Sequence, residues 1–129
     1  MKEFEDKIRE HLVERKWDKL RPADLAKSVS IEAAELLEIF QWTSQTLDEV
    51  KADTAKIDAI KKELADVLIY CFDISVLLEL DTEKILLEKL EKVKQKYPAH
   101  LFNIRDDNAD AGSEEIYWKI KKEHRMKGE

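Results

Sequence analysis

The chain has 129 residues, 40% of them charged, a net charge of −6, and two glycines and two prolines. That length fits one domain; the scarcity of Gly and Pro argues against a turn-rich β fold; the acidic balance argues against nucleic-acid binding, which needs a basic face to neutralise phosphates. The single Cys71 excludes an intramolecular disulfide and fits a reducing compartment. No apolar run approaches a membrane span, and the opening MKEFED is no signal peptide. The expected location is the cytoplasm, with neither membrane nor nucleic acid as partner.

Ala, Leu, Glu and Lys dominate, and these are strong helix formers. A first helix is predicted from Glu3 to Lys16, with Phe4, Ile8, His11 and Leu12 on one side. Trp17 to Arg21 breaks it. Pro22 suits the first turn of a second helix, where its missing N–H costs nothing, and that helix is predicted to reach Trp42. Thr43 to Thr54 is polar and weakly periodic, so a loop or a short irregular turn is expected there. A third helix is predicted from Ala55 to Glu79. Its apolar residues, Leu64 to Leu78, cover most of its circumference, as in the middle of a bundle. Cys71 is therefore expected in the core, and a chain this short is expected to surround such a helix with a partner subunit. Asp81 suits the N-cap of a fourth helix ending near Lys96, before Tyr97-Pro98. Ala99 to Gly112 reads as a loop, and Ser113, Glu114 and Glu115 start a short amphipathic helix to about Arg125.

Acids on a buried face are the informative ones. On the second helix Leu25, Val29, Leu36 and Ile39 mark an apolar stripe; Glu32 falls in its centre and Glu35, three residues on, lies beside it. On the third helix Ile60, Val67, Ile74 and Leu77 mark another stripe, and Glu63 and Asp66 lie in it. Two helices thus each aim an acid-x-x-acid pair at the interior. Two like charges about 6 Å apart at an effective dielectric of about 20 repel by roughly 3 kcal/mol. Four such charges approach the whole stability of a domain, roughly 5–15 kcal/mol. The cluster must protonate, splay apart or hold cations. All four donors are hard oxygens, which favours Mg2+ or Mn2+ over zinc. Di-iron bundles use Glu-x-x-His pairs, and no Glu stands three residues before His11, His100 or His124.

Trp42 lies seven residues after Glu35, and Tyr70 four after Asp66, so both rings are expected to line the cleft that holds the acids. Aromatic faces there suit a nucleobase. Trp17, opening the turn before the second helix, is placed to close over it. Lys89, Lys92 and Lys96 line one side of the fourth helix and read either as a solvated face or as phosphate contacts.

Glu32-Ala-Ala-Glu35, a 27-residue gap and Glu63-Leu-Ala-Asp66 resemble the ExxE…ExxD signature of the MazG-like nucleotide pyrophosphohydrolases. The blocks Ala34 to Trp42, Glu63 to Tyr70, Lys96-Tyr-Pro-Ala-His100 and Glu14-Arg-Lys-Trp17 are similar to the dCTP pyrophosphatase branch. The resemblance covers about residues 5–102. It implies an all-α, four-helix MazG-like bundle over residues 1–102, with 103–129 as a C-terminal loop and short extra helix, assembled as a homodimer or as a dimer of dimers. It implies Mg2+ held by Glu32, Glu35, Glu63 and Asp66, base contacts from Trp17, Trp42 and Tyr70, and a phosphate contact from Lys89. Glu35 and Glu63 are the expected catalytic residues, with Glu35 as the base. The implied reaction is Mg2+-dependent hydrolysis of a nucleoside triphosphate, dCTP or a related pyrimidine nucleotide, to monophosphate and pyrophosphate. Val93 stands where the branch usually carries Asn, and Asp24 where an Asn follows a Pro-x pair; both bear on substrate choice. Two alternatives remain: a phosphoribosyl-ATP pyrophosphatase-like enzyme, and a catalytically silent helical oligomerisation or regulatory module.

Overall fold

The computed structural model describes residues 1–102 and 109–128, and their side chains apart from those of 109–113. Regular structure among the described residues is helical, with no strand: α1 (Lys2–Glu14), α2 (Pro22–Glu38), α3 (Leu47–Ala52), α4 (Thr54–Leu77), α5 (Thr82–Lys96), a 3-10 turn (Ala99–Leu101) and α6 (Ala109–Met126). The all-α expectation holds. No helix among the described residues is long and apolar enough to cross a membrane. The chain divides into two compact units, Met1–Thr82 and Glu83–Glu129.

In the first unit α4 is the central element, and α1, α2 and α3 each pack on it. Ile8 and Leu12 of α1 meet Val76 of α4, with Phe72 and Leu77 against them. Phe4 meets Phe72 edge to face, with centroids 4.9 Å apart. One end of this packing is closed by polar groups that satisfy each other. The Ser75 and Thr82 hydroxyls lie 2.7 Å apart, and the Thr82 N–H donates to Glu5 Oε1 at 3.1 Å. Those bonds from Thr82 hold the Glu5 carboxyl below its ordinary value.

Local chemistry sets the helix ends. After α1, Lys16 takes a left-handed φ of 59°, and the Trp17 N–H donates to the Leu12 carbonyl at 2.8 Å. This is a Schellman closure with lysine where glycine is usual, and it fixes where Trp17 leaves the helix. Pro22 opens α2 as expected. That helix stops at Glu38, four residues before the expected Trp42, where Phe40 and Trp42 are weaker helix formers and the chain continues in turns. The segment expected to be a loop holds α3. Thr46 accepts from the Glu49 N–H while the Glu49 side chain accepts from the Thr46 N–H, a complete capping box. Asp53 then caps α4 through the Lys56 N–H at 3.0 Å.

Cys71 is exposed, not buried in the core as expected. Leu64, Leu68 and Cys71 follow i, i+4, i+7 spacing along one face of α4, and all three are exposed. The all-round apolar character of α4 is thus only partly covered by the described residues.

In the second unit Tyr97 stacks on Tyr117 of α6, with centroids 5.1 Å apart and planes 19° from parallel. Burial pushes the Tyr97 hydroxyl up from its ordinary value, and the neighbouring Tyr117 adds to this. The Lys121 ammonium lies 5.1 Å from the Trp118 ring centroid and 3.3 Å from the Tyr117 hydroxyl. α6 begins at Ala109, four residues before the expected Ser113. Of the expected Ala99–Gly112 loop, the 3-10 turn and the start of α6 are helical, and residues 103–108 lie outside the described residues.

Candidate functional site

The apolar stripes position the acids. Val29, Leu36 and Ile39 are at least half-buried on one side, as are Ile60, Val67, Ile74 and Leu77 on the other, and α2 lies along α4. Glu32, Glu63 and Asp66 are thereby drawn together, each offering one carboxylate oxygen within 4.8 Å of the other two. At that separation each pair repels by roughly 3 kcal/mol at an effective dielectric of about 20, less where water reaches. Lys62 Nζ, 3.6 Å from Glu63 Oε1, offsets part of it. The other oxygen, Glu63 Oε2, is sealed from solvent without a hydrogen-bond partner. Three carboxylates, one with an orphaned oxygen, fit a hard divalent cation. Glu35 is exposed and outside this trio. Three residues along a helix fall about 60° short of a full turn, which carries Glu35 round from Glu32.

Beside the acids lies a cavity of about 340 Å3 between α1, α2 and α4. Asp66 is on its wall and belongs to the acidic trio as well. Trp17, Tyr70 and Ile69 give it apolar and aromatic surface; His11, Asp24, Ser28 and Asp73 give it polar groups. The His11 and Trp17 rings meet edge to face at 5.8 Å. The volume falls at the low end of the roughly 300–1,000 Å3 of small-molecule sites.

Asp73, 5% exposed, is the most buried of those polar groups. Its Oδ1 has no hydrogen-bond partner. Burial raises its carboxyl above the ordinary range, and His11 draws it partly back. Tyr70 and Asp73 follow Asp66 at four and seven residues, so all three share one face of α4.

Of the residues singled out by sequence, Glu32, Glu63 and Asp66 converge, and Trp17 and Tyr70 line the adjoining cavity. Trp42 is 87% exposed and not on that wall. Lys89 lies in the second unit, lining a cavity of about 540 Å3 with Lys92, Val93, Gln95, Lys96 and His124. His11 and Asp73 were missed as site residues. Asp73 carries the same signal as the acids that were found, a carboxylate inside an apolar stripe seven residues after Asp66.

Residues 27–106 match the MazG-like family. The dCTP pyrophosphatase 1 of Mus musculus is 34% identical over 94 residues, covering 71% of this chain and 55% of its own length. That of Homo sapiens is 31% identical over the same coverage. The chain thus spans about half the length of these relatives. A crystal structure of a pyrophosphatase from Archaeoglobus fulgidus superposes with a TM-score of 0.66 at 40% identity, over 76% of this chain and 92% of that one.

Proposed function

Since the chain belongs to the MazG-like family, we propose that it is a divalent-metal-dependent nucleoside triphosphate pyrophosphohydrolase, acting on dCTP or a related pyrimidine nucleotide. One observation carries the reading: Asp66 stands both in the acidic trio and on the wall of the aromatic cavity. Phosphates at a metal and a base between rings would need such a shared border. The names of the mouse, rat and human relatives support dCTP as the first substrate to try.

Glu32, Glu63 and Asp66 would hold Mg2+, or Mn2+, with Glu35 as the fourth proposed ligand. A bound ion would lower the pKa of water and offset charge on phosphate oxygens. The reaction cleaves the bridge between the α and β phosphates. Water adds its oxygen to one phosphorus, the bridging oxygen leaves with the other, and the water's proton passes to a carboxylate, for which Glu35 is proposed. Trp17 and Tyr70 orient the nucleoside by stacking on the base. The resemblance further implies a base contact for Trp42 and a phosphate contact for Lys89. The exposed Leu64, Leu68 and Cys71 face of α4, with exposed Ile31 and Leu37 on α2, supports assembly as a homodimer or a dimer of dimers. Incubation with a panel of nucleoside triphosphates and Mg2+, read for monophosphate and pyrophosphate, tests the reaction; sedimentation tests the assembly.

A further inference from the structure

The acidic trio and the stacking rings leave four polar residues of the cavity wall unused, His11, Asp24, Ser28 and Asp73, and Asp73 is the most buried of them. Asp73 sits on α4 seven residues beyond Asp66, about 10 Å along the helix axis. In the proposed reading the metal and the phosphates lie by Asp66, so Asp73 stands about two turns of α4 away from them. Its side chain is more than nine-tenths buried, and Oδ1 has no donor. Elsewhere in the same unit a buried polar pair is satisfied: Ser75, two residues on, bonds Thr82. Buried polar groups are nearly always paired, so an orphan on a cavity wall marks a partner that arrives with the ligand.

We propose that Asp73 is a specificity-determining residue that accepts a hydrogen bond from the exocyclic amino group of the base, selecting 4-amino over 4-oxo pyrimidine nucleotides. The assignment rests on the proposed function and deepens it. A carboxylate has acceptors and no donor. An amino N–H restores the bond that the cavity lacks. A keto oxygen at the same place sets acceptor against acceptor at a carboxylate oxygen sealed from solvent, where an unmet polar group is costly. His11, on the same wall, does not close this gap, since Oδ1 stays unpaired beside it. The stacking rings give affinity to any base face; the carboxylate makes the distinction at the edge.

The test compares wild type with Asp73→Asn on two readouts: equilibrium binding of dCMP and dUMP with Mg2+, and kcat/KM for dCTP and dUTP. Asparagine keeps the shape but can turn its NH2 toward a keto oxygen. Wild type is expected to favour the cytosine nucleotide by about a hundredfold or more on both readouts, and Asp73→Asn to bring the ratio to within about tenfold of unity by raising the uracil arm and lowering the cytosine arm. A melting curve guards against misfolding, and Asp73→Ala, which can neither donate nor accept, should lose the cytosine preference without gaining uracil binding. An unchanged ratio in Asp73→Asn while triphosphates are still cleaved overturns the Asp73 assignment and leaves the proposed function standing. Nucleotide binding and turnover absent in wild type overturn both.

Discussion

Glu32 on α2 and Asp66 on α4 bring carboxylate oxygens within 4.8 Å of each other across two helices, with Glu63 completing the triangle. Such an arrangement is destabilised by mutual repulsion until positive charge sits between the groups, and Lys62 meets it at Glu63 Oε1. Glu63→Gln should therefore do two things at once. Turnover should fall by at least about a thousandfold, because a ligand at the ion is lost. The metal-free protein should melt higher than wild type, because a repelling charge is gone. Mg2+ should raise the Tm of wild type, since it binds the folded state only, and raise that of the variant less. Melting with and without EDTA checks both; a lower Tm for the metal-free variant would make Glu63 a structural ion-pair partner.

Trp17 leaves α1 at a fixed turn and lines the cavity. A ring that stacks on the base contributes equally to ground and transition states, so Trp17→Ala should raise KM and leave kcat nearly alone. Stacking of about 1–3 kcal/mol per base predicts a KM rise of roughly ten- to a hundredfold. Trp42→Ala should act in the same direction. Steady-state kinetics separate the two constants, and a collapse of kcat at constant KM would remove either ring from the base.

Asp73 gives the folded protein a pH dependence whose sign is fixed by its raised carboxyl. Burial favours the protonated form. The stability linked to Asp73 is therefore fully present below the ordinary carboxyl value of about 3.9 and is lost as pH rises through the higher folded value. Asp73→Asn should accordingly stabilise the free protein at neutral pH, by about 1 kcal/mol or more, with the gain shrinking toward pH 4. Denaturation series at pH 4 and pH 7 measure it; a gain larger in acid would reverse the sign.

The stripes through Leu25 and Ile74 repeat at helical spacing, so the positions of α2 and α4 and the inward acids Glu32, Glu63 and Asp66 could be read from the chain alone. What escaped depended on short-range chemistry or on partners. α3 was hidden because its six residues are too few to show a period, although the Thr46-x-x-Glu49 box announces it. Glu35 shares a motif with Glu32, but three residues along a helix leave it about 60° round, beside the buried face and exposed. Cys71 misled because an apolar run on a helix says that a residue wants cover, and not whether its own chain provides it. Asp73 was passed over as one polar residue in an apolar run, whereas its lack of a partner is visible only in three dimensions.

Lys16 holds a left-handed backbone at φ 59°, which costs a residue with a Cβ about 1–2 kcal/mol relative to glycine. Lys16→Gly should raise stability by about 1 kcal/mol, after the looser unfolded chain offsets part of the gain, and leave nucleotide turnover unchanged. The shift in urea midpoint checks it; destabilisation would mean that the lysine side chain holds the turn.

The central claim is met most directly by following dCTP with the protein and Mg2+ by phosphorus NMR. The account predicts dCMP and pyrophosphate appearing in equal amounts, and no product once EDTA is present. Release of dCDP with inorganic phosphate, or turnover that survives full chelation, would contradict it.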